Sequence, residues 1–307
     1  MIRPIQKVLV IKLGALGDLV LAFGPFAAIR AHHPEAEITL LTTPPFAALA
    51  GRAPWFDHVV VDSRPAWWNL PGLLRLRATL RGFERVYDLQ TSGRSGRYFR
   101  LAGRPIWSGI APGAALPHAN PGRNAMHTVE RQRDQLRHAG IVDVPLPELS
   151  WLTVGGPELP QPYALLVPGA APHRPGKRWP AARFGALASR LSRLGLRPVI
   201  VGTAPDRPFA AEIRDACPAA LDLTGRTSLL ELGGVAARAT VAIGNDTGPM
   251  HLAAAVGCPS VVLFGAESDP ALTAPRPGPG GQVTVLRAEH LQDLSVERVA
   301  AALPEGH

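Results

Sequence analysis

The side chains best suited to chemistry in this sequence form a polar turn in its last third. They are Asn245, Asp246, Thr247, Gly248 and His251. The turn follows the β-branched run 240–243 and precedes a short helical stretch, with Pro249 suited to its first turn, and the apolar run 260–264. Such a unit places a helix N-terminus at the carboxyl edge of a parallel sheet, where anions bind. We therefore predict a phosphate site, the alternative being a simple N-cap and a core histidine.

A lysine in a Gly- and Pro-rich loop is the second candidate. The loop 168–180 follows the apolar run 163–167, and its Lys177 precedes a predicted helix, which suits a phosphate ligand. A nucleotide-hydrolase P-loop is excluded, because that motif needs Ser or Thr directly after the lysine and Arg178 stands there. The alternative is that both residues are ordinary exposed basic side chains.

An aspartate near the N-terminus is the third candidate. The apolar run 7–13 predicts a buried strand, and a turn containing Gly17 leads through Asp18 into a predicted helix over 19–31. A dinucleotide-binding turn would need G-x-G-x-x-G, which is not present here. Asp18 is therefore either the N-cap of this helix or a functional carboxylate held at the edge of a sheet.

Several other chemistries have no signal in the sequence. It contains no D-x-D triplet and no His or Cys pair with metal-ligand spacing, so we expect no metal ion. It contains no G-x-S-x-G motif of a serine hydrolase. The two cysteines, Cys217 and Cys258, do not suggest a disulfide framework, so we expect a cytoplasmic protein. No run of about eighteen apolar residues predicts a membrane-spanning helix.

The positive charge of the chain is concentrated in its first half. Residues 1–154 contain 18 Lys and Arg against 11 Asp and Glu, whereas residues 155–307 contain 14 against 13. Nine arginines lie within 64–104, some of them interleaved with leucines behind Trp67 and Trp68. This pattern predicts a basic amphipathic helix, which either packs on a sheet with a solvated arginine face or docks on an anionic membrane. A nucleic-acid partner is not expected, because no aromatic platform or reading helix is recognisable.

Strand-length apolar runs alternate with helical stretches in both halves of the chain. This alternation predicts an α/β fold with parallel sheets covered on both faces. The Pro-rich stretch 145–162 predicts an interdomain linker, so we place the domains at 1–155 and 156–307. Whether the last helix, 294–303, packs back on the first domain is left open. The Pro-, Gly- and Ala-rich segment 109–123 predicts a long mobile loop.

Three of these motifs together resemble glycosyltransferase family 9, the ADP-heptose:lipopolysaccharide heptosyltransferases. The matching residues are 8–12 with Gly17 and Asp18, the loop 168–180 with Lys177, and the run 244–254. Residues 87–90 with Arg94 and Ser95 also match a family signature. The resemblance implies a GT-B fold, in which two Rossmann-like domains with parallel sheets face each other across a cleft. The N-terminal domain would then bind the acceptor, and the C-terminal domain the nucleotide-sugar donor.

The resemblance further implies inverting, metal-independent transfer of heptose from ADP-heptose to a lipopolysaccharide core acceptor of the Kdo-lipid A type. In this role Asp18 would accept the proton of the acceptor hydroxyl, and Lys177 would stabilise the departing diphosphate, with ADP as product and no cofactor. The implied donor residues are Gly169, Ala170, Lys177, Thr227, Ser228, Asn245, Asp246, Thr247, Gly248, Pro249, Met250 and His251. The implied acceptor residues are Gly17, Arg94, Arg97 and Arg123. The protein would act at the inner face of the inner membrane as a peripheral protein.

Two segments depart from the family pattern. The loop 202–206 lacks the family's G-G-P-E type sequence, and the Ala-rich loop 113–120 also differs. Two alternative functions therefore remain open. One is a related transferase for another nucleotide-sugar and surface glycan, and the other is a non-catalytic nucleotide- or glycan-binding module. Asp18 argues against the second, because a binding module needs no base.

Overall fold

The chain consists of two compact units, seen in a computed structural model that describes residues 5–304. The units are Met1–Pro147 and Glu148–His307. The division falls before the predicted boundary at 155, because a short helix inside the Pro-rich stretch, Ser150–Thr153, packs on the helix Leu229–Ala237 of the second unit. Each unit contains one six-stranded parallel sheet, so the predicted α/β fold class is confirmed.

The first unit has a doubly wound topology. Its strands are β1 (Lys7–Ile11), β2 (Glu37–Thr42), β3 (His58–Val61), β4 (Arg85–Asp88), β5 (Ile106–Gly109) and β6 (Leu116–Pro117). Its helices are α1 (Leu16–Val20), α2 (Phe23–His32), α3 (Pro44–Ala50), α4 (Leu70–Leu80), α5 (Gly93–Leu101) and α6 (Thr128–His138), with a 3₁₀ turn at Arg123–Ala125. The strand order β3-β2-β1-β4-β5-β6 reverses direction between β1 and β4. The loops after these two strands therefore diverge and leave a crevice at their carboxyl ends, where ligands of such sheets bind.

The second unit repeats this topology. Its strands are β7 (Tyr163–Val167), β8 (Arg197–Ile200), β9 (Leu221–Asp222), β10 (Val241–Asn245), β11 (Ser260–Phe264) and β12 (Val283–Arg287). Its helices are α7 (Ser150–Thr153), α8 (Ala181–Arg193), α9 (Arg207–Ala216), α10 (Leu229–Ala237), α11 (Gly248–Ala255), α12 (Pro270–Thr273) and α13 (Val296–Ala300), and 3₁₀ turns lie at Pro175–Lys177, Ala204–Asp206 and Leu291–Asp293. The order β12-β11-β10-β7-β8-β9 reverses between β7 and β10. The crevice of this sheet thus lies between the two loops that carry Lys177 and Asp246.

The helix predicted over 19–31 is two helices in the structure. α1 ends at Val20 and α2 begins at Phe23. Pro25 explains the interruption, because it has no N–H to donate to the carbonyl of Leu21 four residues earlier. The first helix also begins before Asp18, and its N-cap is Ala15. Asp18 is therefore inside the first turn of α1, and its interpretation as an N-cap is wrong.

The segment predicted as a long loop, 109–123, contains an ordered strand. β6 pairs in parallel with β5, with Ser108 opposite Leu116, and the N–H of His118 donates to the carbonyl of Gly109 (2.8 Å). A short strand thus forms in a segment rich in Pro and Gly, because the edge of the sheet supplies hydrogen-bond partners for backbone groups that have none within the segment itself.

Each sheet packs against its helices through a separate apolar core. In the first unit Ile11, Val86 and Trp107 on the strands lie in one cluster with Leu80 of α4 and Tyr98 of α5. In the second unit Leu166 and Ile243 cluster with Phe184 of α8, and α13 packs on α8 and buries Val299 in the same core. Burying a large apolar side chain contributes about 1.5–3 kcal/mol. The strands are therefore rigid supports for the loops at their carboxyl ends.

Candidate active site

A buried asparagine connects the loops that border the candidate donor site. Asn245 ends β10 and is fully buried, and its Oδ1 accepts a hydrogen bond from the N–H of Trp179 (3.0 Å). Its Nδ2 donates to the carbonyl oxygens of Pro168 (2.7 Å) and Gly169 (3.4 Å). Because β7 and β10 are neighbours, this one side chain holds both ends of the loop 168–180 against the start of α11. Asn245 is a predicted donor residue, and in the structure both polar atoms of its side chain form hydrogen bonds with the protein backbone.

The start of α11 presents unpaired backbone N–H groups. Thr247 is the N-cap, but its hydroxyl donates to the carbonyl of Asn245 (3.1 Å) and does not cap the helix. Within residues 5–304, the N–H groups of Thr247 and Gly248 have no hydrogen-bond partner. Free N–H groups and the positive end of the helix dipole both favour an anion. The predicted phosphate site therefore has the backbone donors that it needs.

A cluster of charged side chains adjoins this helix start. Lys177 Nζ lies 2.5 Å from Asp246 Oδ2, and His251 Nε2 lies 3.8 Å from Asp246 Oδ1. Burial raises the pKa of Asp246, but its polar neighbours His251, Lys177 and Ser268 and the charge of Lys177 outweigh this effect and bring the pKa to about 2. Asp246 is therefore ionised at neutral pH. It holds Lys177 beside the free N–H groups, where an incoming diphosphate would compete for this cation.

A pocket of about 690 Å³ opens next to α11. Five of the predicted donor residues line it: Gly169, Ala170, Thr227, Thr247 and Pro249. Much of the remaining wall is apolar, with Phe209, Leu229 and Leu232 among its members. A pocket that is apolar over most of its wall and has free N–H groups at one side suits a ligand with a flat apolar part and an anionic part.

Two charged residues on the pocket wall were not among the predictions. The Arg178 guanidinium lies over the Phe209 ring, 5.1 Å from its centroid, and its Nη2 donates to the carbonyl of Ala170 (3.1 Å). Asp206 accepts hydrogen bonds from the N–H and the hydroxyl of Thr203, each at 2.7 Å. A Cβ at position 169 would lie 2.6 Å from the Asp206 carboxylate, so glycine is required there for this close approach. The loop 202–206 thus brings a carboxylate to the pocket despite its departure from the family pattern.

Seven of the twelve predicted donor residues do not line the pocket, namely Lys177, Asn245, Asp246 and Gly248, described above, and Met250, Ser228 and His251. Met250 is fully buried in the core beneath α11. Ser228 is the N-cap of α10, where its side chain accepts from the N–H of Glu231 (3.2 Å) and its own N–H donates to Glu231 Oε2 (2.7 Å). His251 is buried beside Asp246. In this arrangement Met250 and Ser228 stabilise the elements that carry the pocket.

In the first unit, the turn that carries Asp18 is fixed by contacts from neighbouring strands. The N–H of Leu13 donates to Gln90 Oε1 (2.8 Å), and the carbonyl of Leu13 accepts from the hydroxyl of Thr43 (3.0 Å). Gly14 has a φ of +114°, and a Cβ there would lie 2.5 Å from the Phe46 ring. Asp18 follows on α1 and is half-buried. Asp18 therefore lies at the carboxyl edge of the sheet with part of its surface exposed.

Two buried charges stand next to Asp18 in the crevice of the first sheet. Lys12 directly follows β1 and donates from Nζ to the carbonyl of Leu89 (3.1 Å). Burial lowers the pKa of Lys12, while the charges of Asp18 and Asp88 raise it. Burial raises the pKa of Asp88, at the end of β4, to about 6, although its bonds from the N–H groups of Thr91 and Gln90 act in the opposite direction. The Lys12 amino group is thus within electrostatic reach of both carboxylates.

The predicted acceptor residues fall into separate places within the first unit. Gly17 is buried in α1. Arg94 and Arg97 both lie over the ring of Trp67, at 5.3 and 5.0 Å from its centroid. Burial lowers the pKa of Arg123. The charge of Arg131 on α6 also lowers it, and the charge of Asp88 raises it. The structure therefore groups Arg94 with Arg97, and Arg123 with the crevice.

Sequence reasoning missed some of these residues for identifiable reasons. Lys12 and Asp88 are each a charge at the end of a buried apolar run, which is a usable signal, because such a charge lies at the carboxyl edge of the sheet. Arg178 and Phe209 have no local signal, since they meet only in the folded unit. The same holds for Arg131.

Two kinds of feature are absent from the part of the chain that the structure describes. Between residues 5 and 304 there is no group of three or more His, Cys, Asp and Glu side chains that could hold a metal ion. In the same part of the chain, no helix has both the length and the apolar character needed to cross a membrane.

Comparison with known proteins identifies a family. A family model described as glycosyltransferase family 9 (heptosyltransferase) matches residues 73–300. The lipopolysaccharide heptosyltransferase 2 of Escherichia coli K12 is 26% identical over 312 residues, which cover 88% of this chain and 85% of that protein. The lipooligosaccharide heptosyltransferase 2 of Haemophilus influenzae is 38% identical over 120 residues, which cover 38% of this chain and 34% of that protein.

Solved structures show the same fold. The structure of E. coli ADP-heptose lps heptosyltransferase II has a TM-score of 0.74 and 23% identity, and the match covers 97% of each chain. The E. coli heptosyltransferase WaaC with ADP has a TM-score of 0.79 and 21% identity, with 96% of this chain and 98% of that chain covered. These matches agree with the predicted GT-B class of two Rossmann-like units.

Proposed function

This chain belongs to glycosyltransferase family 9, and from this premise we propose that it transfers a heptose from ADP-heptose to a lipopolysaccharide core acceptor of the Kdo-lipid A type. The observation that carries the proposal is the pocket of the second unit, which adjoins the free N–H groups of Thr247 and Gly248. The names of the relatives supply the sugar and the glycan, since both are heptosyltransferases of lipopolysaccharide or lipooligosaccharide.

The pocket suggests how the donor is bound. The adenine would lie against the apolar wall that includes Phe209, and the Asp206 carboxylate is suited to accept hydrogen bonds from ribose hydroxyls. The diphosphate would take the N–H groups of Thr247 and Gly248 and the charge of Lys177. Asp246, released in part from Lys177, would accept hydrogen bonds from sugar hydroxyls, with His251 holding its other oxygen.

We assign the chemical step to Asp18 in the first unit. Asp18 takes the proton of the acceptor hydroxyl while the hydroxyl oxygen bonds to the anomeric carbon of the heptose. At the same time, the bond from that carbon to the diphosphate oxygen breaks. ADP leaves with the electron pair, and Lys177 and the α11 N–H groups stabilise its charge. Because this is a single displacement, the anomeric configuration inverts. The proposal needs no metal ion, since cationic and N–H groups receive the leaving diphosphate.

We also propose that the protein works on the cytoplasmic face of an anionic membrane as a peripheral protein. Trp68, Leu70 and Leu74, at the start of α4, are 85%, 68% and 64% exposed. Arg75, Arg77 and Arg81 are exposed on the same helix or at its end. Exposed apolar side chains beside cations suit a surface of anionic lipid, where a lipid-linked acceptor would be found.

A donor and acceptor screen tests the proposal. The purified protein is given ADP-heptose, ADP-glucose, UDP-glucose or GDP-mannose together with Kdo-lipid A in detergent, and the product is followed by mass spectrometry. We expect transfer from ADP-heptose only, with the product of opposite anomeric configuration and full activity in the presence of EDTA. Transfer from another nucleotide-sugar would support the related transferase instead. Binding of ADP-heptose without turnover on any acceptor would support the non-catalytic module.

A further inference from the structure

A buried histidine in the first unit has no role in the chemistry described so far. His118 directly follows β6, and its side chain is 0% exposed. Its Nε2 lies 2.9 Å from Asp134 Oδ2 on α6, and its Nδ1 faces Nε of Arg123 at 3.4 Å. The imidazole therefore bridges a carboxylate and a guanidinium.

Both neighbours of this imidazole require the same neutral tautomer. The carboxylate of Asp134 only accepts, so Nε2 donates the proton to it, and the Arg123 Nε–H only donates, so Nδ1 accepts. A hydrogen bond from Asn120 Nδ2 (2.8 Å), followed by the one from His118, holds the pKa of Asp134 below its usual range. Burial lowers the pKa of His118, and the charges of Arg123 and His138 act in the same direction, whereas Asp134 raises it.

Arg123 is thereby fixed at the crevice of the first sheet. Its Nη1 also donates to Asn124 Oδ1 (3.0 Å), and the guanidinium has more N–H donors than these bonds use. Asp88 at the end of β4 and Arg131 on α6 are close enough to influence its pKa. Lys12 Nζ donates to the carbonyl of Leu89 just after β4, and Gln135 Nε2, next to Asp134 on α6, donates to the carbonyl of Asp88 (3.0 Å). Lys12 and the helix that carries Asp134 therefore meet at the same edge of the sheet.

We propose that Asp134 and His118 are positioning residues, which hold the Arg123 guanidinium in the orientation in which it binds an anionic group, phosphate or carboxylate, of the acceptor. The proposal rests on the proposed acceptor function of Arg123. Its physical basis is that an arginine side chain has many rotamers, and a buried partner that is itself hydrogen-bonded to a carboxylate restricts them before the ligand arrives. His118 does not contact the acceptor in this arrangement and acts only through Arg123.

Two substitutions at one position separate the two bonds of the imidazole. His118→Asn keeps an oxygen near the place of Nδ1, so it retains an acceptor for Arg123. His118→Gln reaches the place of Nε2, so it retains a donor for Asp134 and loses the acceptor for Arg123. We expect His118→Gln to weaken the binding of Kdo-lipid A micelles, without donor, by about tenfold, the effect of one lost hydrogen bond to a charged group. His118→Asn should retain binding within about threefold, and kcat and the donor KM should stay unchanged in both.

A double-mutant cycle with Arg123→Ala decides between a positioning role and a structural one. If His118 acts through Arg123, His118→Gln has no further effect on acceptor binding once Arg123 is alanine. Additive losses, or equal losses in the Asn and Gln variants, would overturn the positioning role. If Arg123→Ala leaves acceptor binding unchanged, the acceptor function of Arg123 fails, and the positioning role fails with it. The imidazole geometry has its own readout, because ring ¹⁵N shifts should show the Nε2–H tautomer and Arg123→Ala should raise the His118 pKa.

Discussion

Two aspartates at the carboxyl edge of the first sheet have different surroundings. Asp18 is half-buried on α1, within electrostatic reach of Lys12, and part of its surface is exposed. Asp88 is fully buried at the end of β4, and burial raises its pKa to about 6. The partly exposed aspartate is the one suited to take a proton from a substrate, whereas the buried one acts on its protein neighbours.

Replacing the proposed base should abolish transfer without affecting donor binding. Asp18→Asn keeps the size and polarity of the side chain but removes its ability to accept a proton, so we expect kcat to fall by about 10²–10⁴-fold. The affinity for ADP, measured by calorimetry, should stay within about twofold, because the nucleotide pocket lies in the second unit. Turnover close to that of the wild type would contradict the assignment of Asp18.

The buried Asp88 should make stability depend on pH. Its folded pKa of about 6 lies above the ordinary value of 3.8, so the folded state holds its proton over a range in which the unfolded state has lost it. Stability therefore falls as the pH rises from about 4 to 6, by about 2–3 kcal/mol. Asp88→Asn lacks this titration and keeps an oxygen for the N–H groups of Gln90 and Thr91. Urea unfolding at pH 4 to 7 should show wild type losing stability relative to this variant, and a constant difference would contradict the prediction.

Among the elements, α4 has exposed apolar residues in addition to the apolar face that it buries. The N-cap of α4 is Asn69, whose Oδ1 accepts from the N–H of Gly72 (3.0 Å), and Leu76 and Leu80 are buried under the helix. The opposite surface keeps Trp68 and Leu74 exposed. A helix that already has a cap and a buried face does not need further apolar residues for its own stability. This supports the proposed contact of α4 with a membrane.

Removing the exposed apolar residues of α4 should release the protein from membranes. In sedimentation with vesicles of phosphatidylcholine and phosphatidylglycerol, we expect Trp68→Ser with Leu74→Ser to weaken binding by at least about tenfold, because two large side chains lose their burial in the interface. Binding of the wild type should also fall with added salt.

Leu194→Ser is a matched control, because Leu194 is 51% exposed in the second unit. It should bind vesicles like the wild type. Equal binding of the double variant and this control would contradict a membrane role for α4.

On the scale of the whole molecule, two units with the same strand order carry unequal charge. The first unit, residues 1–147, has 18 basic against 10 acidic residues, and the second, residues 148–307, has 14 against 14. The candidate site of the second unit offers backbone N–H groups, Lys177 and Arg178 for an anion, whereas the first unit has the larger excess of basic residues. The two units should therefore depend on salt to different extents.

Added salt should weaken acceptor binding more than donor binding. Between 50 and 300 mM NaCl we expect the KM for Kdo-lipid A to rise by about tenfold and the KM for ADP-heptose by about twofold or less, because exposed arginines are screened and short buried contacts are not. Steady-state kinetics in detergent measures both, with the micelle concentration held constant. An equal rise of the two KM values would contradict the assignment of the acceptor to the first unit.

Much of this protein follows from its sequence alone. Apolar runs and the Gly and Pro residues between them predicted most strands of both sheets, but not β6, β9 or β12, because a buried parallel strand has a local pattern and a short edge strand does not. The polar turn around Asp246 and Thr247, followed by Pro249, predicted a helix start with free N–H groups, because the start of a helix also has a local pattern. The resemblance in three motifs named the family, which the match over residues 73–300 confirms.

Only the tertiary structure decided which of these residues share a site. Lys177 meets Asp246 across 69 positions of sequence, and the amide group of Asn245 connects two loops. The bridge from Asp134 on α6 through the buried His118 to Arg123 uses two residues of a segment whose composition predicted a loop. Local sequence determines the conformation of a short segment, because its backbone and nearest side chains act over a few residues. Contacts between distant residues depend on the packing of the whole sheet, which no short pattern contains.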